Sequence, residues 1–518
     1  MPEYPTPHRT IRPVAQGATL PDPGGDAGNF GHLPRIAGIR DPVSNAGQGD
    51  GNRQRRSGRS GRSGVRAPAM PPRFPFAGKK YTLRIPTAIC MNRHGFIPMK
   101  LSRLADRIQT SPILTFAAEL NARKAAGENL HNLTVGDFDP RIFPVPGALT
   151  EAAIRAYRDH QTNYPGAVGL PGIRDGVAHL LNRECGLDYR GDDVIIASGS
   201  RPMIYAAYRT IVDPEDKVVF PVPSWNNEHY AQMCGARIVT VETGPENHFM
   251  PTAALLEPHL EDATLLALCS PLNPSGTVLS PGDLRDICEL VMSINRRRGE
   301  DRKPLYVLFD QVYWMLTFSR TEFVHPLGVC PEIGDYAVFV DGISKAFAGT
   351  GLRVGWATGA PHILSRMVSV VAHVGAWAPR PDQVAVGEFL FMDDAVDEYL
   401  CGFRHALEER LAGFHRGFSA LKDRGLPVDA IGPEAAIYLS VRMDLNGRVT
   451  ADGRVLGSDG DVQQYLVDRA HIGVLPFSWF GARSRGNWFR ISVGTCETGD
   501  IGSAMEGLES ALSDLRPG

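Results

Sequence analysis

A lysine in a loop of small residues offers the most reactive chemistry in this 518-residue sequence. Lys345 lies in the stretch Asp341-Gly-Ile-Ser-Lys-Ala-Phe-Ala-Gly-Thr-Gly-Leu-Arg353, after an apolar run at 336–340 that is typical of a buried strand. A desolvated lysine can lose its proton and attack a carbonyl to form a Schiff base. Eight positions further on, Arg353 offers a planar fork suited to a phosphate. The alternative is an ordinary surface lysine on a Gly-rich loop, so the rest of the chain must decide.

Polar and aromatic residues follow other apolar runs in the same way. A carboxylate at the end of a buried strand, as at Asp310, is costly unless a positive charge pairs with it. Small residues ahead of a helix let an anion approach the backbone N–H groups at the helix start. Each signal is weak alone, because Gly/Ser turns, core tryptophans and Asn-Pro turns are common. The residues in question are Gly199, Ser200, Arg201, Trp225, Asn273, Asp310 and Tyr313.

Seven apolar runs alternate with segments of helical periodicity, which predicts an α/β fold with a mostly parallel seven-stranded sheet covered by helices. In such sheets ligands bind outside the carboxyl ends of the strands. We predict a large domain over 146–385, an N-terminal arm and part of the small domain over 99–145, and a smaller α+β domain over 386–518. The predicted strands are 193–198, 217–222, 237–242, 264–270, 305–310, 336–341 and 353–358 in the large sheet, with 436–442 and 488–493 in the small domain.

Helical periodicity and breaker residues give the remaining elements. The segment 445–460 is rich in Gly and Asp and predicts a surface loop. Predicted helices cover 102–126, 147–159, 173–184, 202–211, 281–298, 461–470 and 500–514, with one interrupted helix over 382–424.

Residues 1–98 differ from the rest of the chain. They are rich in Gly, Pro, Arg and Ser and include the run Gly51-Asn-Arg-Gln-Arg-Arg-Ser-Gly-Arg-Ser-Gly-Arg-Ser-Gly64. Such a sequence buries too little apolar surface to offset its chain entropy, so we predict a disordered extension. Translated sequence upstream of a start at Met91 or Met99, an organelle transit peptide and a basic nucleic-acid-binding arm are the alternatives.

Composition excludes several classes of protein. The formal net charge is −3, with 43% hydrophobic and 21% charged residues, which is ordinary for a globular enzyme and does not indicate nucleic acid or membrane partners. Apolar runs fall short of the roughly 20 residues of a membrane span. The eight cysteines are scattered, without CxxC pairs or Cys/His clusters of metal-site spacing, so we expect a reducing, cytoplasmic location and no metal site.

The order of these motifs along the chain is highly specific, although each motif alone is common. Gly-Ser-Arg, Pro-x-Trp, Asn-Pro-x-Gly, Asp-x-x-Tyr, Ser-Lys and an arginine eight beyond the lysine resemble the class I/II aminotransferases of the fold-type I pyridoxal-phosphate enzymes. The resemblance covers residues 99–515. It implies the cofactor pyridoxal 5′-phosphate, bound by Lys345 as a Schiff base, with Lys345 later moving the substrate proton.

The resemblance also implies roles for the other residues. It assigns the pyridine nitrogen to Asp310, ring stacking to Trp225, and the substrate α-carboxylate to Arg490. Gly136 matches the segment that closes over the substrate, and Tyr164 matches a tyrosine that reaches the neighbouring subunit's phosphate, so a homodimer with shared sites is expected. The donors to the ring oxygen are Asn273 and Tyr313, the phosphate cradle is Gly199, Ser200, Arg201 and Arg353, and Ser344 is a further cofactor-binding residue.

Two departures from the family pattern stand out. Many relatives carry Asn or Ser where this chain has Asp341-Gly342, and Gly-Asp-Phe-Asp-Pro at 136–140 is a variant of the N-terminal motif. Both concern phosphate binding and closure rather than the core chemistry.

We therefore expect an amino-acid aminotransferase that transfers an amino group from an L-amino acid to a 2-oxo acid. Aspartate and 2-oxoglutarate are the first substrates that we expect, and aromatic or broad-range substrates remain open. Arg380 is a candidate to bind the distal carboxylate of such a substrate, although a structural role for this arginine is the simpler interpretation. A β-lyase, a decarboxylase or a cyclopropane-forming synthase would use the same residues. A ligand-sensing regulator would need a DNA-binding domain that the N-terminal extension cannot supply, and a nucleotide-binding protein would need a phosphate-loop motif that is absent from the sequence.

Overall fold

A computed structural model describes residues 101–108, 111–318, 321–483 and 486–518, all within one compact unit. The predicted disorder of 1–98 lies outside these residues. None of the helices in the described ranges combines the length and the apolar character that a membrane span requires.

The helices of the described ranges mostly begin at proline or small polar residues, which tolerate the unpaired N–H groups of a first turn. They are α1 (Arg103–Arg107), α2 (Pro112–Ala125), α3 (Gly147–Arg158), α4 (Pro171–Cys185), α5 (Ser200–Ile211), α6 (Asn227–Cys234), α7 (Ala253–Leu260), α8 (Pro281–Arg298), α9 (Pro326–Val329), α10 (Ile343–Ala346), α11 (Pro361–Val374), α12 (Arg380–Phe389), α13 (Asp393–Asp423), α14 (Asp459–Tyr465) and α15 (Asp500–Ser513).

The strands form three sheets. The described strands are β1 (His131–Asn132), β2 (Val194–Ala197), β3 (Lys217–Val222), β4 (Arg237–Glu242), β5 (Ala263–Cys269), β6 (Tyr306–Asp310), β7 (Ala337–Gly342), β8 (Gly355–Gly359), β9 (Val428–Ala430), β10 (Tyr438–Met443), β11 (Ile472–Gly473), β12 (Leu475–Pro476) and β13 (Trp488–Ser492).

The seven strands β2 to β8 form one sheet in the order β2-β8-β7-β6-β5-β3-β4. Every neighbouring pair is parallel except those that include β8, which runs against both β2 and β7. This confirms the predicted mostly parallel seven-stranded sheet. Alternate side chains of the strands pack against α5, α6 and α11 on one face, and against α3, α4, α7, α8 and α12 on the other, so both faces are buried.

The topology brings the predicted site residues to one edge of this sheet. Asp310 is the last residue of β6, and Lys345 follows β7 on the short helix α10. Because β8 is antiparallel to its neighbours, its amino end lies at the same edge as their carboxyl ends, and Arg353 stands two residues ahead of it. One reversed strand therefore explains how the lysine and the arginine can serve one site.

A second, antiparallel sheet has the order β12-β13-β10-β9. Its inner side chains share a hydrophobic cluster with α13 and α15. Strand β13 carries Arg490, and β10 begins at Tyr438. A two-stranded parallel sheet of β1 and β11 holds the segment that leads to Gly136.

The structure differs from the sequence predictions at a few places. The predicted helix over 102–126 is two helices, because Pro112 lacks a backbone N–H and opens α2 as its first residue. The predicted loop over 445–460 is anchored by Leu445, Thr450 and Leu456, whose side chains are buried. The predicted domain boundary between residues 385 and 386 falls inside α12, and the division into two domains stays a prediction.

Gly355 permits a close approach between the start of β8 and the start of α5. A Cβ there would lie 2.3 Å from the Gly199 carbonyl carbon and 2.4 Å from the Ser200 nitrogen. We expect Gly355→Ala to lower the free energy of unfolding by about 1–3 kcal/mol, as overpacking in buried cores does. Urea unfolding of the purified variant measures this.

Gly351→Ala is the matched control. Gly351 lies four residues earlier, in the loop that leads into β8, and a Cβ there would meet nothing within 4 Å. Equal urea midpoints for the two variants would contradict the assignment of a steric role to Gly355.

Candidate active site

Lys345 occupies the centre of the edge where the strands end. Its Nζ donates a hydrogen bond to the Gly136 carbonyl oxygen at 2.6 Å and lies 5.7 Å from the centre of the Tyr313 ring. Burial lowers the pKa of Lys345 to about 8; Asp137 opposes that shift, whereas the positive charges of three nearby arginines add to it. The amine is therefore uncharged at a pH where an ordinary lysine is fully protonated.

The segment around Gly136 crosses over this lysine. A Cβ on Gly136 would lie 2.7 Å from the Tyr438 hydroxyl oxygen, so a side chain here would disturb the site. The next residue, Asp137, accepts a hydrogen bond from the Thr350 hydroxyl at 2.6 Å. Contacts to both Lys345 and Thr350 fix this segment against the loop that follows β7.

Arg490 is a buried cation whose hydrogen-bond partners are neutral oxygens. Its side chain is 2% exposed; Nη1 donates to Asn273 Oδ1 at 2.8 Å, and Nη2 donates to the Thr134 carbonyl oxygen at 2.5 Å. Its Nε has no partner among the described residues. A buried guanidinium in this state favours an anion with two oxygens, such as a carboxylate.

Asn273 is oriented by its contact with Arg490. Its amide oxygen is occupied as the acceptor, so the amide N–H groups remain as donors toward the site. The hydroxyl of Tyr313, which is buried, lies 2.6 Å from that of Tyr438. Two groups able to donate hydrogen bonds therefore belong to the same cluster as Lys345 and Arg490.

Asp310 reaches the site from the carboxyl end of β6. Its carboxylate accepts a hydrogen bond from the Val312 N–H at 3.2 Å, and burial raises its pKa to about 6, against the effects of that hydrogen bond and of the Lys345 charge. A positive ring nitrogen placed beside it would remove the cost of this poorly solvated carboxylate.

Gly199 and the Arg353 guanidinium pack closely at the start of α5. Gly199 has φ +98°, and a Cβ on it would lie 2.3 Å from Arg353 Nη2. The guanidinium is fixed by the carbonyl oxygens of Thr350 and Ser198, at 2.7 and 3.1 Å. Arg353 itself has φ +56°, a left-handed conformation that is costly for a residue with a side chain and is common at functional sites. Ser200 begins α5, whose backbone N–H groups and positive helix end suit an anion.

The remaining predicted residues lie around this cluster or away from it. Ser344 precedes Lys345 on α10. The Arg201 guanidinium lies 5.3 Å from the centre of the Trp225 ring, so these two residues are together. Tyr164 is 82% exposed and therefore lies on the surface of the chain. The centre of its ring lies 5.5 Å from the centre of the Trp377 ring. Arg380 donates to Gln161 Oε1 at 3.0 Å.

Sequence reasoning did not single out Tyr438 or Trp314, which both contact residues of the site. Tyr438 contacts both Arg490 and Tyr313, but a tyrosine in an apolar strand gives no signal of that. Asp341 is buried, and its carboxylate accepts hydrogen bonds from the Trp314 indole and the Gly342 N–H, both at 2.6 Å. Burial raises the pKa of Asp341 to about 7. The sequence marked Asp341 as a departure from the family, but not its partner Trp314.

Comparison with known proteins identifies the family to which the chain belongs. Residues 128–508 match the family model of aminotransferase class I and II. An aspartate aminotransferase of Rhizobium meliloti is 30% identical over 81% of this chain and 97% of its own length, and a probable aspartate/prephenate aminotransferase of Rickettsia felis is 28% identical over 79% and 94%. The structure of Thermus thermophilus aspartate aminotransferase with maleate superposes with a TM-score of 0.71 at 25% identity, covering 80% of this chain and all of that one.

These matches confirm the resemblance that the motifs carry, the fold and the cofactor. The enzymes of this family use pyridoxal 5′-phosphate. The chain belongs to the aminotransferase class I and II family and is a pyridoxal-phosphate-dependent aminotransferase.

Proposed function

We propose that the enzyme transfers the amino group of an L-amino acid of the aspartate type to a 2-oxo acid such as 2-oxoglutarate. One observation carries the substrate side of this proposal. Arg490 is a buried cation with neutral hydrogen-bond partners, in the same cluster as the low-pKa amine of Lys345. An α-carboxylate would complete the coordination of Arg490 and hold the substrate Cα beside that amine.

The described residues fit pyridoxal phosphate. The buried Asp310 carboxylate suits the pyridinium nitrogen, and the amide N–H groups of Asn273 suit the ring oxygen. A glycine at position 199 lets the Arg353 guanidinium pack directly against the start of α5, where its positive charge and the helix N–H groups suit a phosphate. We assign the phosphate to Gly199, Ser200, Arg201, Ser344 and Arg353, and the ring to Trp225, Asn273, Asp310 and Tyr313.

When bound, pyridoxal phosphate supplies an electron sink and a carrier for the amino group. The protein supplies position and proton transfer. Lys345 in its uncharged form is the base that takes the proton from the substrate Cα, because burial and neighbouring arginines lower its pKa. Arg490 fixes the carboxylate, and the segment around Gly136 covers Lys345 and excludes water.

Aspartate is the proposed donor because the relatives described above are named as aspartate and aspartate/prephenate aminotransferases, and one of them is solved with the dicarboxylate maleate. Arg380 is bound to Gln161, which favours a structural role over distal carboxylate binding. Aromatic or broad-range donors, and a β-lyase, decarboxylase or synthase reaction, are the alternatives that the experiment below distinguishes.

The decisive experiment follows the visible absorbance of the cofactor-loaded enzyme while single amino acids are added. We expect L-aspartate to abolish the yellow absorbance and to release a 2-oxo acid. Lys345→Ala removes the base and the cofactor attachment, so we expect it to lose activity by several orders of magnitude. Lys422→Ala, at an exposed lysine paired with Asp429, is the control that keeps full activity.

Each contrary result has a definite meaning. Release of free ammonia, or of an amine together with carbon dioxide, would replace transamination with another reaction on the same site. Faster conversion by an aromatic amino acid would reject the aspartate proposal. Wild-type activity in Lys345→Ala would reject the assignment of Lys345.

The pH dependence of Lys345 is testable without the cofactor. Its pKa is lowered to about 8, so its uncharged fraction rises tenfold per pH unit below 8 and levels off above it. Competitive acylation of the cofactor-free protein, read by peptide mass spectrometry, measures this fraction. We expect the labelling of Lys345 to reach its plateau near pH 8–9. A labelling rate of Lys345 that still rises steeply between pH 9 and pH 10 would contradict the low pKa.

We also propose a homodimer in which Tyr164 completes the partner's phosphate site. In support, Tyr164 is 82% exposed on a single chain. A cytoplasmic location is proposed because the cysteines of the described ranges are free thiols.

Subunit mixing tests the shared site. Lys345→Ala subunits retain Tyr164, and Tyr164→Ala subunits retain Lys345, so a mixed dimer contains one site with both native residues. We expect mixing after mild dissociation to give more activity than the sum of the two separate variants. Mixing two samples of Tyr164→Ala is the control. Activity that stays additive would place Tyr164 outside the partner's site.

A further inference from the structure

Tyr438 joins the two halves of the proposed site. Its side chain is 1% exposed, its hydroxyl lies 2.6 Å from that of Tyr313, and its ring lies 4.5 Å from the Arg490 guanidinium carbon. The first contact reaches a residue of the cofactor side, and the second reaches the cation of the substrate side.

Two glycines make room for Tyr438 in this position. A Cβ on Gly136 would lie 2.7 Å from its hydroxyl oxygen, and a Cβ on Gly276 would lie 2.2 Å from its carbonyl oxygen. Gly276 belongs to the turn that begins with Asn273. The backbone of Tyr438 is therefore packed against the Asn273 turn, while its side chain extends to the segment above Lys345.

The direction of the hydrogen bond between the two hydroxyls decides what Tyr313 can do. Each phenol has one hydrogen, so only one of them donates to the other. The Arg490 charge lies directly over the Tyr438 ring, where it stabilises negative charge on that phenol and partly opposes the rise of its pKa by burial. The same charge also acts on Tyr313, but burial still raises the pKa of Tyr313 well above its usual value, so Tyr438 is the better donor. Tyr313 then accepts from Tyr438 and keeps its own hydrogen for another acceptor.

We propose that Tyr438 is a positioning residue that donates to Tyr313, so that Tyr313 donates to the ring oxygen of the cofactor, while its ring supports the guanidinium of Arg490. This inference rests on the proposed roles of Tyr313 and Arg490. Tyr438 thereby couples the electronic state of the cofactor to the group that binds the substrate carboxylate.

The first test is the pH titration of the visible absorbance of the cofactor-loaded enzyme. A donor to the ring oxygen stabilises its negative charge in the deprotonated form, and a chain of donors strengthens that effect. We therefore expect Tyr438→Phe to raise the pH midpoint by about half a unit to one unit, as loss of one hydrogen bond would do.

The matched control removes a buried tyrosine hydroxyl elsewhere. Tyr465 is 3% exposed and donates to the Ala511 carbonyl oxygen at 2.7 Å, within the cluster around α15. Tyr465→Phe should lower stability and leave the midpoint unchanged. A Tyr438→Phe variant that also loses only stability would overturn the proposal.

A double-variant cycle shows whether Tyr438 acts through Tyr313. We expect Tyr313→Phe to raise the midpoint, and we expect the addition of Tyr438→Phe to change it no further. A second, independent rise would reject the proposed route through Tyr313. An unchanged midpoint in Tyr313→Phe would instead reject the proposed role of Tyr313, and a wild-type protein without visible absorbance would reject the cofactor site itself.

The ring of Tyr438 has a separate test. Tyr438→Phe keeps the aromatic face over Arg490, whereas Tyr438→Leu removes it. We expect KM for the amino donor to stay within twofold in Tyr438→Phe and to rise roughly tenfold in Tyr438→Leu, as loss of a desolvated cation–π contact implies. Equal KM values in the two variants, with both folded by circular dichroism, would remove the support of Arg490 from the proposal.

Discussion

The site depends on two positive charges, those of Lys345 and Arg490, being held away from water. Lys345 and Arg490 are both partly or fully removed from solvent, and each donates to a backbone carbonyl of the segment around residues 134–136. A buried cation is costly unless it is paired; the hydrogen-bond partners here are neutral oxygens, and in the proposed function the substrate carboxylate supplies the anion for Arg490. Repulsion from the arginines adds to burial in making the amine of Lys345 easier to deprotonate.

The large sheet provides the geometry for this arrangement. Parallel strands bring the ends of β5, β6 and β7 to one edge, and the antiparallel β8 returns Arg353 to that edge. The second sheet supplies Arg490 and Tyr438 from β13 and β10. The site is thus built between side chains of two sheets. In the proposed function the large sheet holds the cofactor, and the smaller sheet binds the substrate carboxylate.

The sequence predicted the large sheet well because its strands are buried on both faces and read as continuous apolar runs. Lys345, Asp310 and Arg490 were singled out because their family motifs are local. Tyr438 was missed because its importance comes from contacts with Tyr313 and Arg490, which are 125 and 52 positions away in the sequence. The break before Pro112 was missed because the periodicity of apolar residues continues across it, while the proline restricts only the backbone.

The hydrogen bond from Lys345 to the Gly136 carbonyl links the state of the lysine to the segment that covers it. Once the amine is committed to another partner, that carbonyl loses its donor, and the covering segment keeps its attachment through Thr134 and Asp137. In the proposed function, the lysine that receives the cofactor is therefore also a donor that holds the covering segment at Gly136. Occupancy of the lysine would then loosen the segment at Gly136 alone, while the contacts of Thr134 and Asp137 continue to hold it on either side.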